Sequence, residues 1–547
     1  MKTFKCKTQL YRLAMHIWLI ASSLLLSLIG FAQEQFIIEV EPISIPNMPG
    51  VQSFAWGKAS DGKILIIGGR RDGLHLRRPF ETFDPAQSNK DLIVLDINAK
   101  RIWTAPLNSL PTSIQEQLQS TNMQFYQRDS ILYIIGGYGY SATAGDHITF
   151  PNLTAIHVDS VVDAIINNKP FAKFFRQIED SRMQVTGGQL GYLDSFFYLC
   201  GGQKFMGRYN PMGGPSFSQE YTEEIRKFKI VDNGTTLTIQ DYSAIKDMAN
   251  LHRRDYNMSP QIFPDGSHGF TMFTGVFQFT ANLPFLNSVN VFDTGYQVVN
   301  QNIYLSHYHS AKVPIWDSTA NKMHTIFFGG IAQFYMDSLG NLIRDDSVPF
   351  VTTISKVTRH SDWTLSEYKI GDMPGLVGAS SEFVPVSSPD VKYIKGEILH
   401  LNKVPDNKRV LIGYIIGGIN SSEPNIFWIN DGTQSKADPT VYAVYLKKGE
   451  SRDIEVKYIE PPEEIKLTIN PNPVEDILNA EIQLPEGEGF FVRIVNMKGE
   501  TVYFQQIPMV IGVFRLAIDV KDLSQGAYIF EVGSKGSGRK SIAFVKI

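Results

Sequence analysis

The sequence predicts an all-β protein: six four-stranded antiparallel units stacked in a ring, followed by a small β-sandwich. Three observations lead there. An apolar strand closing on paired glycine recurs as KILIIGG (63–69), ILYIIGG (131–137), FFYLCGG (196–202), HTIFFGG (324–330) and LIGYIIGG (411–418), with a worn copy, FTMFTGV, at 270–276. Each copy stands in a series of four short strands. Near residue 460 the pattern stops and a different run of strands begins.

The elements of the unit follow in order. A first strand precedes the glycines, as in SFAWGKA, MQFYQ and SAKVPIW. The glycine strand is second, and its double glycine permits positive φ and a close approach by the neighbouring unit. A third strand follows a polar loop: DLIVLDI, TAIHVD, EEIRKFKI, NSVNVFD, VTTISKV and TVYAVYL. Most units add a fourth, such as RIWTAPL, LTIQDYS or WTLSEYKI. A meander of this kind buries both faces only when copies stack on it, and radial stacking closes the stack into a ring. FIIEVEP near residue 38 and DIEVKYI near residue 456 compete to complete the last unit.

These repeats resemble the kelch family of β-propellers, whose blades carry the same double glycine and a downstream aromatic. Trp103 and Trp363 stand about where that aromatic belongs. The resemblance implies a six-bladed propeller over residues 33–460. The spacing exceeds the roughly 50 residues usual for kelch, so long loops are implied.

Residues 1–32 read as a signal peptide. Lys2, Lys5, Lys7 and Arg12 precede the apolar LAMHIWLIASSLLLSLIGF, and Gly30 and Ala32 offer small residues before Gln33. No later segment approaches the roughly 18 apolar residues of a membrane span, so the mature chain is expected to have none. Losing the segment moves the formal charge from −4 to −8, which argues against nucleic acid as a partner. Cys6 would leave with it, and Cys200 alone cannot form an internal disulfide. Cys200 lies inside an apolar strand and reads as core filler. A copper-radical centre, known on some kelch rings and dependent on a tyrosine-linked cysteine, is therefore not expected, and no other cofactor is implied.

Pro461-Pro462 reads as a linker opening a second domain, 461–547. Alternating short strands with Gly and Asn turns indicate a β-sandwich. Its order resembles the C-terminal sorting domain of type IX secretion cargo in Bacteroidetes. Pro471, Asn472 and Pro473, then Lys498 and Gly499, then Gly526, Ala527 and Tyr528, and a closing basic-apolar strand carry the likeness. It implies the type IX translocon and sorting machinery as partners. It also implies passage through the periplasm to a secreted or outer-membrane-attached product.

In an up-and-down meander, the connection after the second strand lies on one face with the crossings between units. Those connections are long here (70–90, 203–222, 331–351 and 419–440), while the turns at the other end, such as SDGK and RDS, are short. Long loops in a compact ring are more often functional than accidental. This face is expected to gather Arg70, Arg71, His75, Arg77, Arg78, Tyr138, Tyr140, Arg208, Arg253, Arg254, Tyr256, His307 and His309. Guanidinium groups suit carboxylates, sulfates and phosphates, and aromatics stack on sugar rings. An anionic glycan or protein ligand is the expected partner. The competing reading is structural, with the arginines pairing to Asp72, Glu81 or backbone carbonyls. No metal is expected. His307 and His309 project to the same side of an extended segment and are the weak candidates, with His252, His75 or His147 available as a third ligand. The kelch resemblance also allows a sugar-acid mutarotase or epimerase, which needs an acid/base carboxylate beside the arginines; the sequence singles out none. Phosphate-cradling, serine-protease, EF-hand and zincin motifs are absent.

Overall fold

The computed structural model describes residues 35–547 apart from 214, 450, 457–463, 486–488 and 535–537. The signal-peptide expectation at 1–32 and the Pro461-Pro462 linker lie outside the described residues. The rest is mostly strand. No helix among the described residues is long and apolar enough to cross a membrane.

Six antiparallel meanders follow one another. The first is Ala55–Lys58, Ile64–Ile67, Asp91–Asp96 and Arg101–Pro106. The second is Gln124–Arg128, Ile131–Ile135, Asn152–His157 and Phe175–Glu179, and the third Gln189–Leu193, Phe196–Cys200, Glu224–Asp232 and Leu237–Lys246. The worn repeat supplies His268–Phe273 to the fourth, between Asn257–Ile262 and the pair Ser288–Phe292 and Gly295–Val299. The fifth is Lys312–Asp317, Lys322–Ile331, Phe350–Arg359 and Leu365–Asp372. In the sixth, Glu382–Pro385, Arg409–Ile416 and Val441–Lys448 are joined by Phe36–Ile43 from the start of the described chain. The competition for the last outer strand thus goes to FIIEVEP. Ile454–Glu455 pairs instead with the outer strand of the fifth sheet.

The glycine strands are largely apolar because both of their faces are covered. Leu65 and Ile67 pack toward the second sheet, with Leu132, Ile134 and Ile156. Ile64 and Ile66 pack toward the sixth, with Ile416 and Val441. The same alternation links second to third sheet through Tyr133 and Phe197, third to fourth through Tyr198 and Met272, fourth to fifth through Phe273 and Phe327, and fifth to sixth through Phe328 and Ile415. Full burial of each such side chain contributes about 1.5–3 kcal/mol.

Paired glycine has a specific job. In all five good copies both glycines have positive φ, for example Gly136 at 64° and Gly137 at 96°. The first glycine faces a backbone carbonyl of the segment leading to the next sheet: a Cβ on Gly136 would lie 1.9 Å from the Val185 oxygen, and one on Gly329 2.1 Å from that of Val377. The second commonly donates its N–H to the same segment, as Gly137 does to Val185 (2.9 Å) and Gly418 to Val51 (2.9 Å). In the worn copy Thr274 occupies the left-handed region at 57°, and its hydroxyl donates to the carbonyls of Ser306 and His307, 3.0 Å each.

The six approach segments meet at the centre. The Asn122 N–H donates to Ser53 (3.1 Å), Gly187 to Asn122 (3.2 Å), Asp255 to Gly187 (2.7 Å) and His309 to Asp255 (2.8 Å). Ser380 donates to His309 (2.8 Å), and Ser53 to Ser380 (3.0 Å). These six main-chain bonds form a closed cycle, one residue per sheet.

The tail packs two sheets face to face. One is Lys466–Asn470, Ile477–Gln483 and Val513–Asp519; the other is Thr501–Ile507, Phe490–Asn496, Gly526–Ser534 and Gly538–Lys546. Leu478, Ile482, Val492, Phe530 and Val532 are among the buried core.

Candidate functional site

A cavity of about 1110 Å³ runs through the cycle of six amides, all of whose residues line it. The long loops surround its mouth. These loops are built structure: Tyr138–Ser141 and Asp146–Thr149 join Gln203–Gly207 and Phe217–Tyr221 in a further sheet. The arginine loop is stitched to the 419–440 loop: the Leu74 N–H donates to Ser435 Oγ (2.9 Å), Asn430 Nδ2 to the Leu74 carbonyl (2.7 Å) and the Arg77 N–H to the Asn430 carbonyl (2.9 Å).

Within this frame the predicted residues separate. Arg70 is buried and spends its guanidinium on Asp72, with Nε donating at 2.8 Å and Nη2 at 2.5 Å. Arg71 reaches Asp91 and Arg78 reaches Glu81, each at 3.4 Å on the outside. Arg253 is wholly enclosed and donates to the carbonyls of Asn250, Thr274 and Asn287, a structural tie. Tyr256 is enclosed too, its hydroxyl donating to the Cys200 carbonyl (2.6 Å). Arg208 donates to the Thr82 carbonyl (2.7 Å), and Tyr138 to that of Gly207 (2.7 Å). Tyr140 is exposed beside His147, whose Nε2 meets the Phe83 carbonyl at 2.8 Å.

Arg77 and Arg254 line the cavity alongside the paired Arg70. The Arg77 guanidinium lies 3.7 Å from the Trp428 ring and 5.3 Å from that of Phe427, with no carboxylate partner among the described residues. Arg254 pairs with Asp255 and donates to the Tyr221 hydroxyl (3.2 Å); these partners hold its charge firmly. His75 packs among Phe83, Tyr209 and Phe427, and burial pulls it down to about 4, so the mouth keeps a neutral imidazole there. Phe80 and Trp428 stand exposed on the surrounding loops.

The two histidines of the proposed pair part company. His307 is fully buried: its Nε2 meets the Ile303 carbonyl at 3.0 Å and its Nδ1 accepts the Gln333 N–H at 2.9 Å. His309 turns into the cavity, where Nε2 lies 2.8 Å from Glu382 Oε1 and Nδ1 lies 2.9 Å from Gln189 Nε2. No cluster of three or more metal-ligating side chains occurs among the described residues.

Sequence reasoning missed the chamber below the amide cycle. It is walled by the first strands of the sheets, which contribute Trp56, Gln124, Gln189, Lys312 and Glu382. Burial opposes ionisation of Glu382, but His309 and Lys312 hold its carboxyl below the usual range. Lys312 is lowered by burial, against the pull of Glu382. Among the described residues Gln124 Oε1 is buried with no hydrogen-bond partner, and Trp56 lies near enough to Glu382 to help hold its carboxyl down. The floor is segment 386–400, the connection between first and second strands of the sixth sheet. Its Glu397 accepts the Tyr126 hydroxyl (3.3 Å) and is pushed up to about 7 by enclosure, while Lys395 reaches Asp194 at 3.7 Å. The only sequence signal was the length of that connection.

In the tail, Asn472 exchanges bonds with the closing strand, its Nδ2 donating to the Ala543 carbonyl (3.2 Å) and its Oδ1 accepting the Val545 N–H (3.0 Å). Pro471 and Pro473 flank it. Gly499 turns the hairpin at φ 83°, Gly526 opens its strand at φ 152°, and the Tyr528 hydroxyl donates to the Ser524 carbonyl (2.8 Å).

Residues 468–545 match the secretion system C-terminal sorting domain family. The chain thus carries a sorting tail for export. No curated protein matches the chain. Among solved structures it is similar to that of YjhT, at 14% identity over 72% of this chain and 95% of that one with a TM-score of 0.40. It is also similar to a fungal alcohol oxidase of the AA5 family in complex with copper, at 8% identity over 92% and 99% with a TM-score of 0.36. Both likenesses are too distant to carry function.

Proposed function

We propose that the six sheets form a six-bladed kelch-like propeller, exported through the type IX system, that binds an acidic glycan end-on in its central cavity. The closed cycle of six amides and the packing of the sixth sheet on the first support the closed ring. The observation that carries the ligand is Arg77, cavity-facing, stacked on Trp428 and unmatched by a carboxylate. Its outward donors suit a carboxylate or sulfate, and the exposed rings beside it suit a sugar face. A floored cavity receives a chain end rather than a chain middle. The chamber below favours a glycan over a protein ligand: Lys312 and Trp56 donate while Gln124 and Glu382 accept, and hydroxyl groups do both.

The test is binding by the full chain across a panel of acidic saccharides, neutral saccharides and acidic peptides, with Arg77→Ala and Arg254→Ala. We expect an acidic saccharide to bind best and to lose about tenfold or more in Arg77→Ala. Affinity for a neutral ligand or a peptide that ignores both substitutions would sink the reading.

One observation favours a second reading, sugar-acid mutarotation or epimerisation: the His309–Glu382 pair beside Lys312 is an acid/base set in the same cavity. Anomer exchange of a bound sugar acid, followed by NMR and abolished in Glu382→Gln, would support it. Exchange at the uncatalysed rate would dismiss it.

A further inference from the structure

The loop after the double glycine of the fifth sheet, Gly329-Gly330, does something the other long loops do not. It folds into a hairpin of Phe334–Met336 and Leu342–Arg344, and its tip belongs to the tail. The turn is fixed from within. Asp337 Oδ1 accepts the N–H groups of Leu339 and Asn341 (2.9 Å each), Asp337 Oδ2 accepts Asn341 Nδ2 (2.8 Å), and Gly340 takes φ 81°. The root is fixed to the six-sheet body: Phe334 is buried with Tyr304 and Leu305, and the Gln333 N–H donates to His307.

The outer strand of this hairpin pairs antiparallel with the tail, Leu342 opposite Ile511 and Ile343 opposite Val510. The Arg344 N–H donates to the Met509 carbonyl at 3.0 Å. Asn341 clasps Arg515 from both sides, with Nδ2 donating to its carbonyl (2.7 Å) and Oδ1 accepting its N–H (2.5 Å). Ile343 is 4% exposed and sits in the hydrophobic core of the sandwich, with Tyr335 packed at the margin. Strand addition of this kind takes affinity from main-chain bonds and selectivity from the side-chain pocket.

We propose that this hairpin is a dock for the sorting domain, holding it on the six-sheet body independently of the linker. Cutting the chain between residues 456 and 464 then leaves the two parts associated. The occupant is the chain's own tail, which takes a core side chain, Ile343, from the other domain.

The experiment uses the full chain with a protease recognition sequence placed within 457–463. After cutting, wild-type body and tail co-elute in gel filtration at micromolar concentration. Ile343→Asp and Asn341→Ala each weaken the association about tenfold or more, and the parts elute separately. Ile343→Val retains the apolar plug and still co-elutes. Hydrogen exchange on the uncut chain gives a second readout, with the Met509–Ile511 amides protected in wild type and exchanging faster in Asn341→Ala. Separation of the wild-type parts on cutting overturns the proposal, as does co-elution unchanged by Ile343→Asp. So does release by Ile343→Val equal to that by Ile343→Asp.

Discussion

Arg70 and Arg77 share a loop and a residue type, yet only Arg77 offers its charge to the cavity. The difference was not legible locally. Asp72 beside Arg70 hinted at pairing, but the ring that leaves Arg77 stacked and unpaired is Trp428, far along the chain. His307 and His309 illustrate the same limit: period-two spacing puts them on one side of an ideal strand, while the chain here is irregular and only His309 reaches the cavity. His307 is held neutral by donating on one nitrogen and accepting on the other, and burial pulls it down to about 4. A base lowered in the folded state contributes stability above its unfolded value of about 6.5 and loses it as pH falls toward 4. Thermal unfolding of wild type and His307→Gln should therefore show a gap that narrows between pH 6.5 and about 4; a constant gap contradicts the assignment. Glycine supplies a sharper test. Gly136→Ala puts a Cβ against the Val185 carbonyl at positive φ and should cost about 3 kcal/mol or more. Gly145→Ala, at φ 70° with nothing within 4 Å, should cost about 1–2 kcal/mol. Equal losses in chemical denaturation would remove the steric account of the double glycine.

The elements written most plainly in the sequence are those whose two faces meet the same demand. Glycine strands such as Ile64–Ile67 were readable because burial on both sides favours a dense apolar run, and even the worn copy keeps most of it, with Thr271 the polar interruption. First strands were harder. AWGK and EFVP mix apolar and polar residues because one side packs and the other lines a cavity. The floor was nearly invisible, since beyond the length of the connection nothing in 386–400 marks a segment that crosses a channel. Glu397 gives that element a testable consequence. Raised to about 7, it is largely neutral at pH 6 and charged at pH 8, adding negative potential to the cavity. Affinity for an acidic saccharide should fall between about pH 6 and about pH 8, and Glu397→Gln should flatten most of that fall. An identical pH profile in the variant would place the titrating group elsewhere.

At the scale of the whole molecule, the start of the described chain pairs with its last repeat. Phe36–Ile43 completes the sixth sheet, where Arg409 meets Glu39 and Glu41 at 2.5 Å each and Phe36 and Ile38 enter the core between fifth and sixth sheets. Deleting 35–43 should leave Val441–Lys448 as an open edge, lower the unfolding temperature and promote association, read by calorimetry and light scattering. An unchanged transition would mean that the strand does not help hold the sixth sheet. The serial four-stranded units could be argued from sequence because they recur, and the sorting tail because it carries its own run of motifs. The cavity could not, because it is made of single residues from six sheets. Its occupancy by an acidic glycan is the central claim, and one measurement meets it directly: calorimetric titration of the best-binding acidic saccharide into wild type and Arg77→Ala, at about 50 and about 500 mM salt. The expected result is wild-type affinity that falls with salt, and a variant weaker by about tenfold at low salt with a shallower dependence. Equal affinity in both proteins, insensitive to salt, would contradict it.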